Sequence, residues 1–219
     1  MAFTQRRKGN EDEYWQSASP AAIILDLRMK NPKLGASPTT LVSSDIFICK
    51  VHQRHWIVRE FSLWGDSELE YSSKLLSEDL RNNSAWNYRY YIIQNTSGFT
   101  KEVLDREIKI CSELIRKAPH NESSWSYLNG TLIENGLCSR PEVWTLCSDL
   151  YEKSKCRSPY LLAFMIDYLE EQIDSSQADR EEKLSRIQKL CGEACEADPI
   201  RKNYWNFLKN SILAKYDQT

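Results

Sequence analysis

The sequence predicts an all-α fold: an α–α superhelix, a solenoid of helical hairpins, preceded by an irregular leader over residues 1–50. Three observations point there. Glycine is scarce, apolar residues recur at helical steps from about Arg54 onward, and a tryptophan-led pattern repeats along the chain.

Composition bounds the alternatives. The chain has 219 residues, with Lys+Arg 29 against Asp+Glu 31 and a net charge of −2. That balance leaves no broad positive field to hold nucleic acid or an anionic membrane non-specifically. Apolar residues at 41% and aromatics at 11% supply a core and argue against disorder. The longest apolar run, Pro159 to Ile166, falls far short of the roughly 18 residues of a membrane span. Glycines number 7, and the nearest two, Gly130 and Gly136, are too far apart in their surroundings for G-x-G-x-x-G or G-x-x-x-x-G-K-[ST] to be written. Tight hairpins are disfavoured for the same reason. The cysteines are odd in number and lack C-x-x-C, and the N-terminus lacks the apolar core of a signal peptide, which reads as reduced thiols in the cytosol.

The leader, residues 1–50, is rich in Ser, Pro and Thr, carries Pro20, Pro32 and Pro38, and holds one short apolar stretch, Ala21 to Leu27. Residues 51–219 form the helical-repeat domain. Between Thr100 and Ala118, Leu104, Ile108, Cys111, Ile115 and Ala118 line one helical face. Between Ala178 and Ala197, Leu184, Ile187, Cys191 and Ala194 do the same. Trp86, Trp125 and Trp205 each follow an amphipathic helix by five or six residues and open a second helix, at intervals of 39 and 80 residues. Three residues on stand Arg89, Leu128 and Leu208, and seven on stand Ile93, Leu132 and Ile212, one face repeated three times. Asn82 and Asn121, four residues before the tryptophan, suit helix caps, and Pro119 and Pro199 suit helix stops. Ser158 to Phe164 supplies a weaker unit between Trp125 and Trp205, with Pro159 at a helix start. Units of about 35–45 residues that cannot bury their apolar faces alone must stack.

Catalytic constellations are not visible. His52 and His55, with Glu60 nearby, have no convincing third metal ligand and read as structural or solvated. His120 falls in an inter-helix turn, where packing or capping is the simpler role. No G-x-S-x-G elbow exists, and no cysteine has a histidine close in sequence. Cys191 and Cys195 read as small residues in a packing face, and Glu78-Asp79 and Glu170-Glu171 as solvated faces. Arg89 faces inward where the other repeats carry leucine, and a buried guanidinium demands carboxylate or carbonyl partners, in a structural clamp or on a partner surface. Tyr88, Tyr90 and Tyr91 ring the same helix, so at least one should lie outside the core, as an interface aromatic. The repeat anchors are thus Asn82, Trp86, Arg89, Asn121, Trp125, Leu128, Trp205 and Leu208, structural or interface residues rather than catalytic, cofactor-binding or metal-binding ones.

Asp79-Leu-Arg-Asn-Asn-Ser-Ala-Trp-Asn-Tyr-Arg-Tyr-Tyr-Ile-Ile93 and Pro119-His-Asn-Glu-Ser-Ser-Trp-Ser-Tyr-Leu128 resemble the repeats of the α subunit shared by protein farnesyltransferase and protein geranylgeranyltransferase type I. The likeness runs from about Val51 to Tyr216 and includes Phe61-Ser-Leu-Trp64 and Ser158-Pro-Tyr-Leu-Leu-Ala-Phe164. It implies a crescent of helical hairpins around a β subunit, in a heterodimer that moves a farnesyl or geranylgeranyl group from its diphosphate to the cysteine of a CaaX protein. It also implies zinc on the β subunit, magnesium for farnesyl transfer, no cofactor in this chain and a cytoplasmic location. Phe47-Ile-Cys-Lys-Val51 has valine where the anchor tryptophan belongs, and residues 1–46 show no such repeats. No catalytic residue is therefore carried over, and the resemblance implies an α subunit lacking its N-terminal repeats, inactive alone. The α subunit of Rab geranylgeranyltransferase is disfavoured by the wording of the repeats. A free-standing tetratricopeptide-like adaptor is the reading from another class; it requires a period near 34 with small residues at fixed places.

Overall fold

The computed structural model describes residues 51, 54–176 and 178–217. Residues 1–50, including the leader's proposed boundary, and His52 lie outside the described residues. Among the described residues there is no strand. A helical stretch over 54–60 precedes α1 (Asp66–Glu78), α2 (Asn83–Asn95), α3 (Lys101–Lys117), α4 (Glu122–Leu132), α5 (Pro141–Ser148), α6 (Pro159–Ser175), α7 (Arg180–Ala197) and α8 (Lys202–Asp217).

Successive helices pair as hairpins: α1 with α2, α3 with α4, α5 with α6 and α7 with α8. The second helices α2, α4 and α6 also touch one another in sequence, and α3 touches α5, so the hairpins stack in two layers. The α3 face of Leu104, Ile108, Cys111 and Ile115 is buried between those layers. In α7 the buried line is Ile187, Leu190, Cys191 and Ala194, with Leu184 half-buried.

Local chemistry fixes where the second helices begin. The Asn82 side chain accepts from the Ala85 amide, and that of Asn121 from the Ser123 amide, satisfying donors that a helix N-terminus leaves open. The indole N–H of Trp86 donates to the Leu80 carbonyl at 2.9 Å, and that of Trp125 donates to the Pro119 carbonyl at 2.9 Å. Each tryptophan lies eight residues past the last residue of the preceding helix, not five or six; in the last repeat the Trp205 indole donates to the Asp198 carboxylate at 3.3 Å rather than to a carbonyl. The Asn121 amide also donates to the Leu80 carbonyl, at 2.7 Å, tying the second turn to the first. Two glycines are required by backbone geometry. Gly98 ends α2 with φ 65, its amide donating to the Ile93 carbonyl. Gly136 has φ 83, and a Cβ there would meet Glu171 Oε1 at 2.6 Å.

Trp86, Trp125 and Trp205 are buried, and Trp86 rests on Tyr127 of the next hairpin with ring centroids 4.8 Å apart. Trp125 packs on Phe164 at 5.6 Å; Phe164 lies 39 residues further on and takes the tryptophan's place in the weaker unit. Ile93, Leu128, Leu132 and Ile212 are buried beside them. Leu208, on α8, is only half-buried. Replacing Trp125 by alanine is therefore expected to cost about 3–5 kcal/mol in urea unfolding, and Leu208→Ala about 1 kcal/mol, because only the first leaves a closed cavity.

Candidate functional site

The side chains that join one hairpin to the next form a repeated polar device inside an otherwise apolar stack. Glu107 of α3, fully buried, receives both guanidinium donors of Arg89 from α2, at 2.6 and 2.8 Å. The Tyr127 hydroxyl of α4 donates to the same carboxylate at 2.7 Å. The remaining Arg89 nitrogen donates to Ser72 and Ser73 hydroxyls and the Leu69 carbonyl, all on α1. One guanidinium thus ties α1, α2 and α3 together, with its donors matched to acceptors as burial demands.

The same device stands one unit earlier, its glutamate and tyrosine 39 residues before Glu107 and Tyr127 and its arginine 35 residues before Arg89. Glu68 of α1 is bound bidentately by Arg54 from the 54–60 stretch and receives the hydroxyl proton of Tyr88 from α2. In both copies the tyrosine follows its glutamate by 20 residues. A further 39 residues on, the Arg89, Glu107 and Tyr127 places are held by Leu128, Leu146 and Ile166, all buried, so the third copy is apolar throughout. The last hairpins use other pairs: Arg157 and the Tyr151 hydroxyl on Glu193, and Lys215 with the Tyr216 hydroxyl on Asp174.

Burial by itself would raise the Glu107 carboxyl. The Arg89 bond, with the Tyr127 and Arg106 bonds, more than offsets this and holds it below the ordinary carboxylate range. Burial and the bonded carboxylates push the phenols of Tyr88 and Tyr127 well up.

Asn82 and Asn121 cap, Trp86, Trp125 and Trp205 are buried, Arg89 is the clamp just described, and Leu128 is fully buried. Of the tyrosines that ring α2, only Tyr88 is buried, while Tyr90 and Tyr91 are half-buried at the edge of the core. Tyr90 packs against Phe99 and Tyr127, and Tyr91 packs against His55 and Trp64. The large apolar side chains exposed among the described residues are instead Trp56, Ile133, Ile200, Tyr204 and Phe207. Glu171 is not simply solvated either, since it accepts the Leu137 and Cys138 amides at 2.8 and 3.0 Å, and Glu170 pairs with Lys215. His120 is exposed in the α3–α4 turn. Composition alone did not reveal Glu68 and Glu107 as the partners of the arginines; the signal was their 39-residue separation, shared with Tyr88 and Tyr127.

Two outcomes test the clamp. Glu107→Leu alone is expected to cost about 3–5 kcal/mol in urea unfolding because it strands a buried guanidinium. Arg89→Leu with Glu107→Leu and Tyr127→Ile, copying the apolar third unit, is expected to cost less than that single change. The Glu107 carboxyl binds its proton more weakly folded than unfolded, so its contribution is full above about pH 5 and is lost as pH falls through its lowered folded value. The triple variant should therefore show a shallower loss of melting temperature between about pH 5 and pH 3 than the unmodified chain.

These repeats have named relatives. Residues 66–96 and 104–132, which hold α1–α2 and most of α3–α4, match the protein prenyltransferase alpha subunit repeat. The chain is 35% identical over 152 residues to the protein farnesyltransferase/geranylgeranyltransferase type-1 subunit alpha of Dictyostelium discoideum, covering 67% of this chain and 45% of that protein. Its identity to the subunit of the same name from Arabidopsis thaliana is 32% over 162 residues, covering 68% and 49%. The fold is similar to that of a chain in Candida albicans protein geranylgeranyltransferase-I complexed with GGPP, with TM-score 0.63 and 24% identity over 74% of this chain and 52% of that one. The chain spans about half the length of the curated relatives it matches. With its capped, tryptophan-anchored hairpins recurring in the matched segments, this chain belongs to the family of protein prenyltransferase alpha subunits.

Proposed function

We propose that the chain serves as the α subunit, a scaffold, of a heterodimeric protein prenyltransferase that moves a farnesyl or geranylgeranyl group from its diphosphate to the cysteine of C-terminal CaaX motifs. The observation that carries this reading is the 39-residue repeat, in register through Asn82, Trp86, Asn121 and Trp125, in a chain whose relatives bear that subunit's name. In this reading the repeat domain over residues 51–219 contacts a β subunit, and the anchors Arg89, Leu128, Trp205 and Leu208 hold that surface in shape. CaaX proteins and isoprenoid diphosphate are met through the complex, in the cytoplasm. Among the described residues no helix is long and apolar enough to cross a membrane.

Zinc on the β subunit and magnesium for farnesyl transfer belong to the complex in this proposal. No group of three or more His, Cys, Asp and Glu among the described residues is placed to hold a metal ion, and no step is assigned to a metal held here. The role of this chain's own side chains is to fix the curvature and register of a protein-binding surface. A tetratricopeptide-like adaptor is not favoured, since the period here is 39 rather than near 34.

Co-expression with a farnesyltransferase β subunit tests the proposal. The expected result is co-purification, weaker than that of a full-length α subunit, with prenylation of a CaaX peptide reduced at least tenfold and none from the chain alone. Failure of any complex to form would overturn the proposal. Turnover equal to that of the full-length subunit would overturn the expected loss.

A further inference from the structure

The helical stretch over 54–60 belongs to a hairpin whose anchor is altered. Arg54 meets Glu68 as Arg89 meets Glu107, but with 14 rather than 18 residues between arginine and glutamate, so this helix stands 35 residues before α2 and not 39; Val51 and Val58, three before and four after Arg54, thus hold the places of Trp86 and Ile93. Val51, Arg54 and Val58 are all buried. In the following unit the Trp86 indole lies on Tyr127. The residue 39 before Tyr127 is Tyr88, the aromatic on which an indole at position 51 would lie. What stands there instead is a cavity of about 220 Å³ lined by Val51, His55, Ser84, Asn87, Tyr88 and Tyr91. An isopropyl group where the repeat calls for an indole leaves that space open.

We propose that this cavity is a binding site for a small planar heteroaromatic molecule of indole size. Its walls are the Tyr88 and Tyr91 rings and the Val51 methyls, the apolar faces such a ring would cover. Those walls are held before any ligand arrives: the Tyr88 hydroxyl is fixed on the buried Glu68 carboxylate, and the Tyr91 ring packs against His55 and Trp64. Pre-organisation of this kind reduces the ordering cost of binding. Ser84 and Asn87 line the same space with a hydroxyl and a side-chain amide, acceptors for one ring N–H. At Trp86 and Trp125 the indole N–H has a backbone carbonyl as its acceptor, so the built-in rings show the kind of polar contact the site must reproduce. The volume falls below the roughly 300–1,000 Å³ of pockets that enclose drug-sized ligands, which suits one bicyclic ring and not a long chain. The proposal rests on the repeat register and not on the transferase reading.

Thermal unfolding of the full chain with and without indole, in the absence of any β subunit, tests it. At ten times its dissociation constant, indole is expected to raise the melting temperature by roughly 3–6 °C, saturably. Val51→Trp is expected to raise the melting temperature without ligand and to abolish the indole response. Should that variant misfold by far-ultraviolet circular dichroism, Ser84→Leu, which crowds the same space, decides instead, and it too should abolish the response. Saturation-transfer NMR should show magnetisation passing from the unmodified chain to indole and not from whichever of the two variants is folded. No shift and no transfer with the unmodified chain, or an undiminished response in the folded variant, would overturn the site.

Discussion

The architecture depends on a buried guanidinium that reaches in two directions. A stack of hairpins has no sheet or closed barrel to set its register, so each unit must be keyed to the next by contacts at their shared boundary. Arg89 does this with α1 on one side and Glu107 of α3 on the other. Apolar packing alone tolerates small rotations and slides, whereas a bidentate pair with its remaining donors satisfied accepts one geometry. Arg54 on Glu68 repeats the arrangement one unit earlier.

The device stops after two copies, and the way it stops is informative. Leu128, Leu146 and Ile166 replace arginine, glutamate and tyrosine together, leaving no stranded charge. A buried ion pair can give way to apolar residues at little cost when all its members change, while losing one member is expensive. From there the stack is held by aromatic contact, Trp125 on Phe164, and by ion pairs nearer the surface such as Lys215 with Glu170 and Asp174. Apart from Arg54, which precedes them, the members of the polar key lie in the segments that match the family repeat, and the later hairpins use other means.

Much of this was legible in the residues because it is local. Asn82 and Asn121 cap within three residues, and the α3 face from Leu104 to Ile115 follows from helical spacing alone. What was less legible depends on neighbours distant in sequence. Tyr90 and Tyr91 cover a helix side that looks exposed until Phe99, Tyr127, Trp64 and His55 are brought against it. Glu171 looks like any surface acid until the turn after α4 presents two amides to it. Carboxylates default to solvent in a sequence reading, so Glu68 and Glu107 gave no sign of burial except their shared period with a tyrosine.

The same packing determines what the titratable groups can do. Burial pushes the Cys111 thiol far up and holds those of Cys147 and Cys191 at about 12 and about 11, so these thiols stay protonated and are poor nucleophiles near neutral pH. Tyr88 and Tyr127 are moved up and Glu107 down, each away from the range in which a general acid or base exchanges protons readily. Groups that would serve chemistry elsewhere are here bonded to one another across hairpin boundaries. A side chain that must stay buried and paired to keep the register cannot also turn outward. The residues that fix the curvature of the stack, Arg89 and Glu107 foremost, are the ones through which a substitution in one hairpin would shift the next.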